Sequence, residues 1–511
     1  MKNKEYSRNV TVFHGRTAPE HGSIVGYAAI IEYYNLKVTV PIQLALISTK
    51  HKVYNTEDWK VLTPRHKPAE SLYGQITFAL KYEGIDLAIL NALFKVVNQK
   101  EILALIQEEP TGIYSRRIWF LYEWLTDKKL KLDDVQTGNY IDLMDESLQY
   151  AGTPVSSKRH RIKNNLPGVK NFCPLIRKTE KTDAFLKLDL PKKISKTLGN
   201  IHPDIMSRTA AFLLLKDSKA SYAIEGERPP QNRAQRWGRA IGQAGQKPLS
   251  KDELLRLQQL VIENTRFVHM GWRVQGGFVG DHDRQHGTPI PDHISARWQD
   301  LHTLITGLIE TCDKLEKDEN FDAVFAAAIV AFGFVFIHPF EDGNGRIHRY
   351  LIHHLLASKK YVPKGIIFPV SAIILERLDE YRTSLESYSM PRLDLIEWKT
   401  TPKNNVEVVN DTIDLYRYFD ATKQVEFLYS CVQQTAEKTI PDEVNYLKKY
   451  DAFKVFLEDN YEMPDKTIAL LVRFLEQNNG KFSDRAKSKE FHELKISELK
   501  EIQKKYADVF N

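Results

Sequence analysis

Apolar residues recur at three- and four-residue spacing along much of the chain, the repeat of a helix with one buried face. Ile76-Thr-Phe-Ala-Leu-Lys-Tyr82 and Leu87-Ala-Ile-Leu-Asn-Ala-Leu-Phe94 follow it, and Ile118-Trp-Phe-Leu-Tyr-Glu-Trp-Leu125 is an aromatic-rich case whose stripe belongs in a core. Two β-branched stretches, Ile24-Val-Gly-Tyr27 and Lys37-Val-Thr-Val-Pro41, predict strands, so residues 1–130 mix both kinds of element. From about 135 to 200 the periodicity weakens as Pro, Gly, Asn and Lys accumulate. Helices are expected over 204–219, 251–265, 294–316 and 320–337. Ser218 or Ser221 is placed to cap a short helical turn leading to Glu225-Gly226, which Pro229-Pro230 follows. Within Trp272-Arg-Val-Gln-Gly-Gly-Phe-Val-Gly280, the pair Gly276-Gly277 suggests a hairpin turn. Beyond residue 400 come several helices, among them the amphipathic Ile468-Ala-Leu-Leu-Val-Arg-Phe-Leu475 after Pro464. The pattern predicts a mainly α fold.

Length and composition refine this picture without redirecting it. The 511 residues suffice for two to four domains, and 42% hydrophobic residues supply packed cores. A formal charge of +6, from 72 basic and 66 acidic residues, suits anionic substrates but does not mark a dedicated nucleic-acid binder. The densest basic run, Lys158-Arg-His-Arg-Ile-Lys163, reads as a solvated arm because no aromatic residues interleave it. Cys173, Cys312 and Cys431 are too far apart to build a local disulfide framework or metal knuckle. With no apolar leader after Met1, the expected compartment is the cytoplasm. Ala323 to Ile337 is an uncharged run of fifteen residues, short of the ~20 that span a membrane, and reads as a core helix.

That helix runs directly into His338-Pro-Phe-Glu-Asp-Gly-Asn-Gly-Arg-Ile-His-Arg349, where the chemistry concentrates. Pro339 prevents simple continuation, and Gly343-Asn344-Gly345 frees backbone N–H groups to point into a concavity at the start of a new helix. Backbone amides and the positive helix end make an anion site. Arg346 and Arg349, three apart, can grip phosphate oxygens. Asp342 offers a carboxylate where a phosphate-bound Mg²⁺ needs oxygen, and His338 can take a proton near neutral pH. Base, anion hole and cation clamp together describe phosphoryl or nucleotidyl transfer, without the GxxxxGKS of a P-loop. A zinc site from His338, His348, His353 and His354 fits poorly, because their spacings match no standard pattern and the arginines repel a cation.

The block resembles the full Fic-family motif, HxFx[DE]GNGRxxR, with every fixed position filled. Ser221-Tyr-Ala-Ile-Glu225-Gly226 resembles the family's inhibitory motif [ST]xxxE[GN], placed ahead of the core as in Fic proteins of the second class. Trp272-Arg273 and Gly276, Gly277, Phe278, Val279 and Gly280 resemble the flap that aligns the target. The segments around 19–100 and 465–510 resemble the flanks of large bacterial Fic proteins. The resemblance implies a Fic-type helical core with a small β-hairpin flap over 181–400, an N-terminal mixed α/β region over 1–180 and a C-terminal helical region over 401–511. It implies that His338 is the general base, Phe340 the loop anchor and Asp342 the Mg²⁺ ligand. Gly343, Asn344 and Gly345 would line the anion hole, while Arg346 and Arg349 bind the distal phosphates. Glu225 would pair with Arg349 in place of a γ-phosphate. The expected activity is transfer of AMP from ATP to a Ser, Thr or Tyr hydroxyl of a protein, self-inhibited by Glu225. AMP removal at the same site and nucleic-acid regulation are the alternatives. The expected partners are ATP, a protein target and a second copy of the chain, with neither membrane nor nucleic acid.

Overall fold

The computed structural model describes residues 5–199, 201–262, 265–363 and 365–510. Its architecture is mainly α. At the centre lies the helix Ala323–Ile337, started by Asp322, whose side chain accepts from the N–H groups of Val324 and Phe325. With no charge to keep in water, every residue of it except Val335 is buried. Helices Asn344–Ser358, Leu301–Lys317 and Thr422–Gln434 pack around it. Helix Pro203–Ala223 lies against Val370–Glu376 and Gln231–Gly242, and its tip reaches the start of Asn344–Ser358.

Ahead of this core, strands Asn9–Phe13, Arg16–Ile24, Leu44–Ser48, Trp59–Leu62 and Tyr54–Asn55 form one sheet in that spatial order. Only Leu44–Ser48 and Trp59–Leu62 run parallel. Helices from Tyr27–Tyr34 to Ile113–Thr126 share a second apolar cluster that includes Trp119 and Tyr122. Behind the core, helices Ile440–Tyr461, Asp465–Gln477 and Ile496–Phe510 enclose a third, around Phe453, Leu471 and Ile502. No described helix is long and apolar enough to cross a membrane.

Several local expectations shift. Lys37–Pro41 is a loop, and the strand begins at Leu44, beyond the proline that cannot donate to a ladder. Helix 204–219 extends to Ala223, so Ser218 and Ser221 lie inside it and cap nothing. Ser218 Oγ instead donates to the Ala234 carbonyl at 2.5 Å. Helix 251–265 ends at Val261, and residues 263 and 264 lie outside the described set. Helix 294–316 begins only at Leu301, because Pro289–Ile294 is a strand. Gly276-Gly277 is not the hairpin turn. It leads into the strand Phe278–His282, which returns through residues 283–288 to Pro289–Ile294. A Cβ at Gly276 would collide with the Val406 carbonyl, so glycine is required there by close approach.

The basic run at 158–163 is no solvated arm. Arg159 pairs with Glu123 at 2.9 Å and Asp134 at 2.7 Å. His160 is buried beside Glu123, and Arg161 donates to the carbonyls of Val135, Gln136 and Gly138. The carboxylate and carbonyls that neutralise the run lie 23 to 37 residues upstream, outside any local window.

Candidate active site

His338 ends the central helix in the left-handed conformation, φ 53° and ψ 61°, with its N–H still bonded to the Phe334 carbonyl. That conformation costs a non-glycine residue about 1–3 kcal/mol and persists only where neighbours hold it. Arg273 does so. Its backbone N–H donates to the Pro339 carbonyl, Nε donates to the His338 carbonyl at 2.6 Å, and Nη2 donates to the Ala296 carbonyl at 2.8 Å. This guanidinium is buried among carbonyls, and burial pushes its pKa down to about 10. Phe340 is fully buried and stacks on Trp272 at 4.9 Å. Asn344 turns both side-chain polar atoms onto Phe340, accepting from its N–H at 3.0 Å and donating to its carbonyl at 2.8 Å. The backbone N–H of Asn344, at the first turn of the helix, is the donor left to face an anion without disturbing this pairing. Gly343, at φ +95°, makes the turn that starts the helix Asn344–Ser358.

The His338 ring donates from Nδ1 to the Val335 carbonyl at 3.2 Å, which leaves Nε2 as the proton acceptor. Burial first, then the neighbouring His293 and Arg273, pushes its pKa down to about 3. The neutral, basic form is the one favoured by folding, so it persists as pH falls until about 3. A profile of kcat/KM against pH should accordingly show no imidazole limb near pH 6.5, and a limb there that vanishes with His338 would contradict this geometry. The ring opens onto a cavity of 450 Å³ shared with Glu225, Gly345, His293 and Tyr381.

Opposite His338, the tip of helix Pro203–Ala223 closes over the start of Asn344–Ser358. Gly226, at φ +73°, lets the Glu227 N–H bond to the Tyr222 carbonyl and its own N–H to the Ala223 carbonyl, a Schellman ending. This places Glu225 Oε1 2.8 Å from Arg349 Nη2. Arg349 is buried, and it also donates to Ser221 Oγ at 3.1 Å and to the Ser221 carbonyl at 2.6 Å. A Cβ at Gly345 would collide with Glu225 Oε1, so the carboxylate lies directly against the first helical turn, where N–H groups lack intrahelical partners. Burial alone would raise the Glu225 pKa, but Arg349, and behind it Arg346, outweigh burial and hold it below the usual carboxylate range. The pair is therefore fully charged at neutral pH and weakens only as acid protonates Glu225. Arg346 is buried too, 2.9 Å from both Asp342 and Glu227.

Asp342 is half exposed at the mouth of this site, with Oδ1 accepting from Arg346 and from the Gly343 N–H. One carboxylate beside a phosphate cradle fits Mg²⁺, which keeps waters and substrate phosphates in its shell. Among the described residues, the single cluster of three Cys, His or carboxylate groups able to converge on an ion is Cys312, Glu316 and His354, on other faces of the core. There Gly245 N–H donates to His354 Nδ1, and His354 Nε2 lies 2.8 Å from Glu316.

The flap strand Phe278–His282 pairs with Pro289–Ile294, Val279 opposite His293. Its other edge pairs with no strand among the described residues. Gly277 supports the hairpin's base by accepting from the Ser295 N–H at 2.9 Å, and Val279, half exposed, lines the cavity that His338 opens onto. Gly280 lies where a Cβ would collide with the Ile290 carbonyl. Glu227 and Arg233 are the site's unforeseen members, and Arg273, read from the sequence as part of the flap, braces the loop that follows His338.

A neutral histidine at a helix end, facing the amino terminus of a second helix that carries two buried arginines, sets a proton-accepting nitrogen beside donors suited to an anion. Residues 248–356 match the Fic/DOC family model, and the chain carries a domain of that family. Proteins of this family generally transfer nucleotidyl groups to proteins. A Fic domain containing signaling protein from Bacteroides thetaiotaomicron VPI-5482 is similar over 51% of this chain and 96% of its own, at 18% identity and a TM-score of 0.36. A Fic family protein from Desulfovibrio desulfuricans G20 covers 65% of this chain with 86% of its own, also at 18% identity and a TM-score of 0.36.

Proposed function

We propose that the chain is a protein adenylyltransferase that inhibits itself through Glu225. The observation that carries this reading is the Glu225 carboxylate lodged between Arg349 and Gly345, an anion already seated where a phosphate would bind, across from a neutral His338. With ATP in that place, Arg349 and Arg346 hold the distal phosphates, and the backbone amides of Gly343, Asn344 and Gly345 face the remaining oxygens. His338 Nε2 takes the proton of a target Ser, Thr or Tyr hydroxyl. The hydroxyl oxygen bonds to the α-phosphorus as the bond to the pyrophosphate oxygen breaks, and pyrophosphate leaves. Mg²⁺ held by Asp342 would supply charge neutralisation on the phosphates. The open edge of Phe278–His282 can take an extended target segment as an added strand.

Label distinguishes this from phosphate transfer. Incorporation into protein is expected from ATP labelled at the α-phosphorus and not from ATP labelled at the γ-phosphorus. The reverse result sinks the reading. EDTA and Asp342→Ala should each suppress incorporation by on the order of 10²-fold or more, given the several kcal/mol a bound metal contributes to charge stabilisation. Full activity in EDTA would remove the metal from the chemistry.

A further inference from the structure

The Schellman turn at Gly226 aims two carboxylates into the site. Glu227, two residues beyond Glu225, is held between a pair of guanidinium groups: Oε1 lies 2.9 Å from Arg346 Nη1 and Oε2 lies 2.9 Å from Arg233 Nη1. Arg233 comes from the start of helix Gln231–Gly242, outside the catalytic loop, and its Nη2 is fixed on the Val261 carbonyl at 3.2 Å. The two guanidinium groups also share the Tyr222 ring, at 4.8 Å for Arg233 and 5.3 Å for Arg346. Both arginines are therefore oriented by contacts that do not depend on Glu227. A fixed pair of planar cations bridged by one carboxylate has the donor arrangement that binds a phosphate oxygen pair.

We propose that Arg233 is a third phosphate-binding cation, and that Glu227 occupies a second anion subsite, shared by Arg233 and Arg346, which accepts the pyrophosphate end of a nucleoside triphosphate. The inference rests on the proposed use of ATP and extends it to a residue beyond the loop. Seating the triphosphate displaces two carboxylates, Glu225 from Arg349 and Glu227 from the Arg346–Arg233 pair. Because both ride on one helix ending, with Glu227 N–H bonded back to Tyr222, they leave as a unit. A triphosphate brings more charge and more acceptors than the two carboxylates it replaces, and this favours the exchange.

Binding tests this without turnover. In a His338→Ala background, inorganic tripolyphosphate and ATP are titrated calorimetrically against otherwise unchanged protein and against Glu225→Gln, Glu227→Gln and the double variant. Glu227→Gln alone should tighten tripolyphosphate about five- to tenfold, within the usual range for coupled sites, and the double variant should bind more tightly than either single one. Adding Arg233→Met to Glu227→Gln should abolish that gain, and Arg233→Lys should restore part of it. Thermal melts without ligand show that each variant is folded. No tightening with Glu227→Gln, or an undiminished gain with Arg233→Met, overturns the proposal. Absence of tripolyphosphate binding to every folded variant does the same. The adenylyltransferase reading is tested separately by labelled AMP incorporation, so a failure there leaves the binding result to judge the Arg233 subsite on its own.

Discussion

Glu225→Gly turns AMP transfer on, with labelled incorporation into the enzyme or a lysate rising on the order of 10- to 100-fold over the unchanged chain, the span of typical site-to-site coupling. The cause is local. Arg349 is buried with Ser221 and Glu225 as its partners, and Glu225 Oε1 sits where no atom can be added to Gly345. Removing the carboxylate clears that space and leaves Arg349 a cation in want of an anion, which the γ-phosphate supplies. Stripping one partner from a fully buried pair costs about 3–5 kcal/mol. Here the loss is well below that, because the Glu225 side chain is 35% exposed and water screens it. The variant should therefore melt slightly lower alone and recover with ATP. Arg349→Ala must not be activated, since it deletes the phosphate ligand together with the inhibitor's partner. An Glu225→Gly protein no faster than the unchanged chain would show that this carboxylate does not inhibit.

His338→Ala should lower transfer by about 10²–10⁴-fold, the usual contribution of a positioned base, while ATP affinity changes little. The imidazole bonds to the Val335 carbonyl and packs near His293, whereas the phosphate-facing groups stand on the opposite side of the cavity. Alanine tolerates a positive φ poorly, and the loop could shift for that reason alone. His338→Asn separates the two effects, because asparagine adopts this conformation more readily and still lacks the base. Both variants should be inactive in the Glu225→Gly background, with calorimetric ATP binding intact. Undiminished incorporation in either would move the base elsewhere.

The candidate loop was legible because its residues are contiguous. His338 through Arg349 places base, glycines and arginines within one turn and one helix start, and the apolar run before them announces the buried helix that aims them. What stayed hidden depends on distant contacts. Nothing in the local pattern ties Arg273, read as part of the flap, to the loop that follows His338, yet it meets the His338 carbonyl 65 residues away. Glu227 and Arg233 read as ordinary surface charges until the Gly226 turn and the Tyr222 ring bring them to Arg346. Ser218 and Ser221 looked like a helix boundary because serine favours caps; inside a helix packed among several others, their hydroxyls face tertiary partners. Pro41 displaced the strand expected at 37–41, and prolines at 289 and 291 concealed a strand that pairs along one edge only.

The absent side chain at Gly345 has a consequence for how such an enzyme would meet its substrate. A space too small for one methyl group beside Glu225 cannot hold a carboxylate and a phosphate together. Occupancy would be exclusive, so under the proposed activity the tethered glutamate would act as a competitor whose local concentration never changes, however dilute the protein. Free ATP would compete against that constant. Output would then follow the nucleotide level around a threshold written into the chain, and anything that loosens the helix ending at Gly226 would lower the threshold without touching the loop at 338–349.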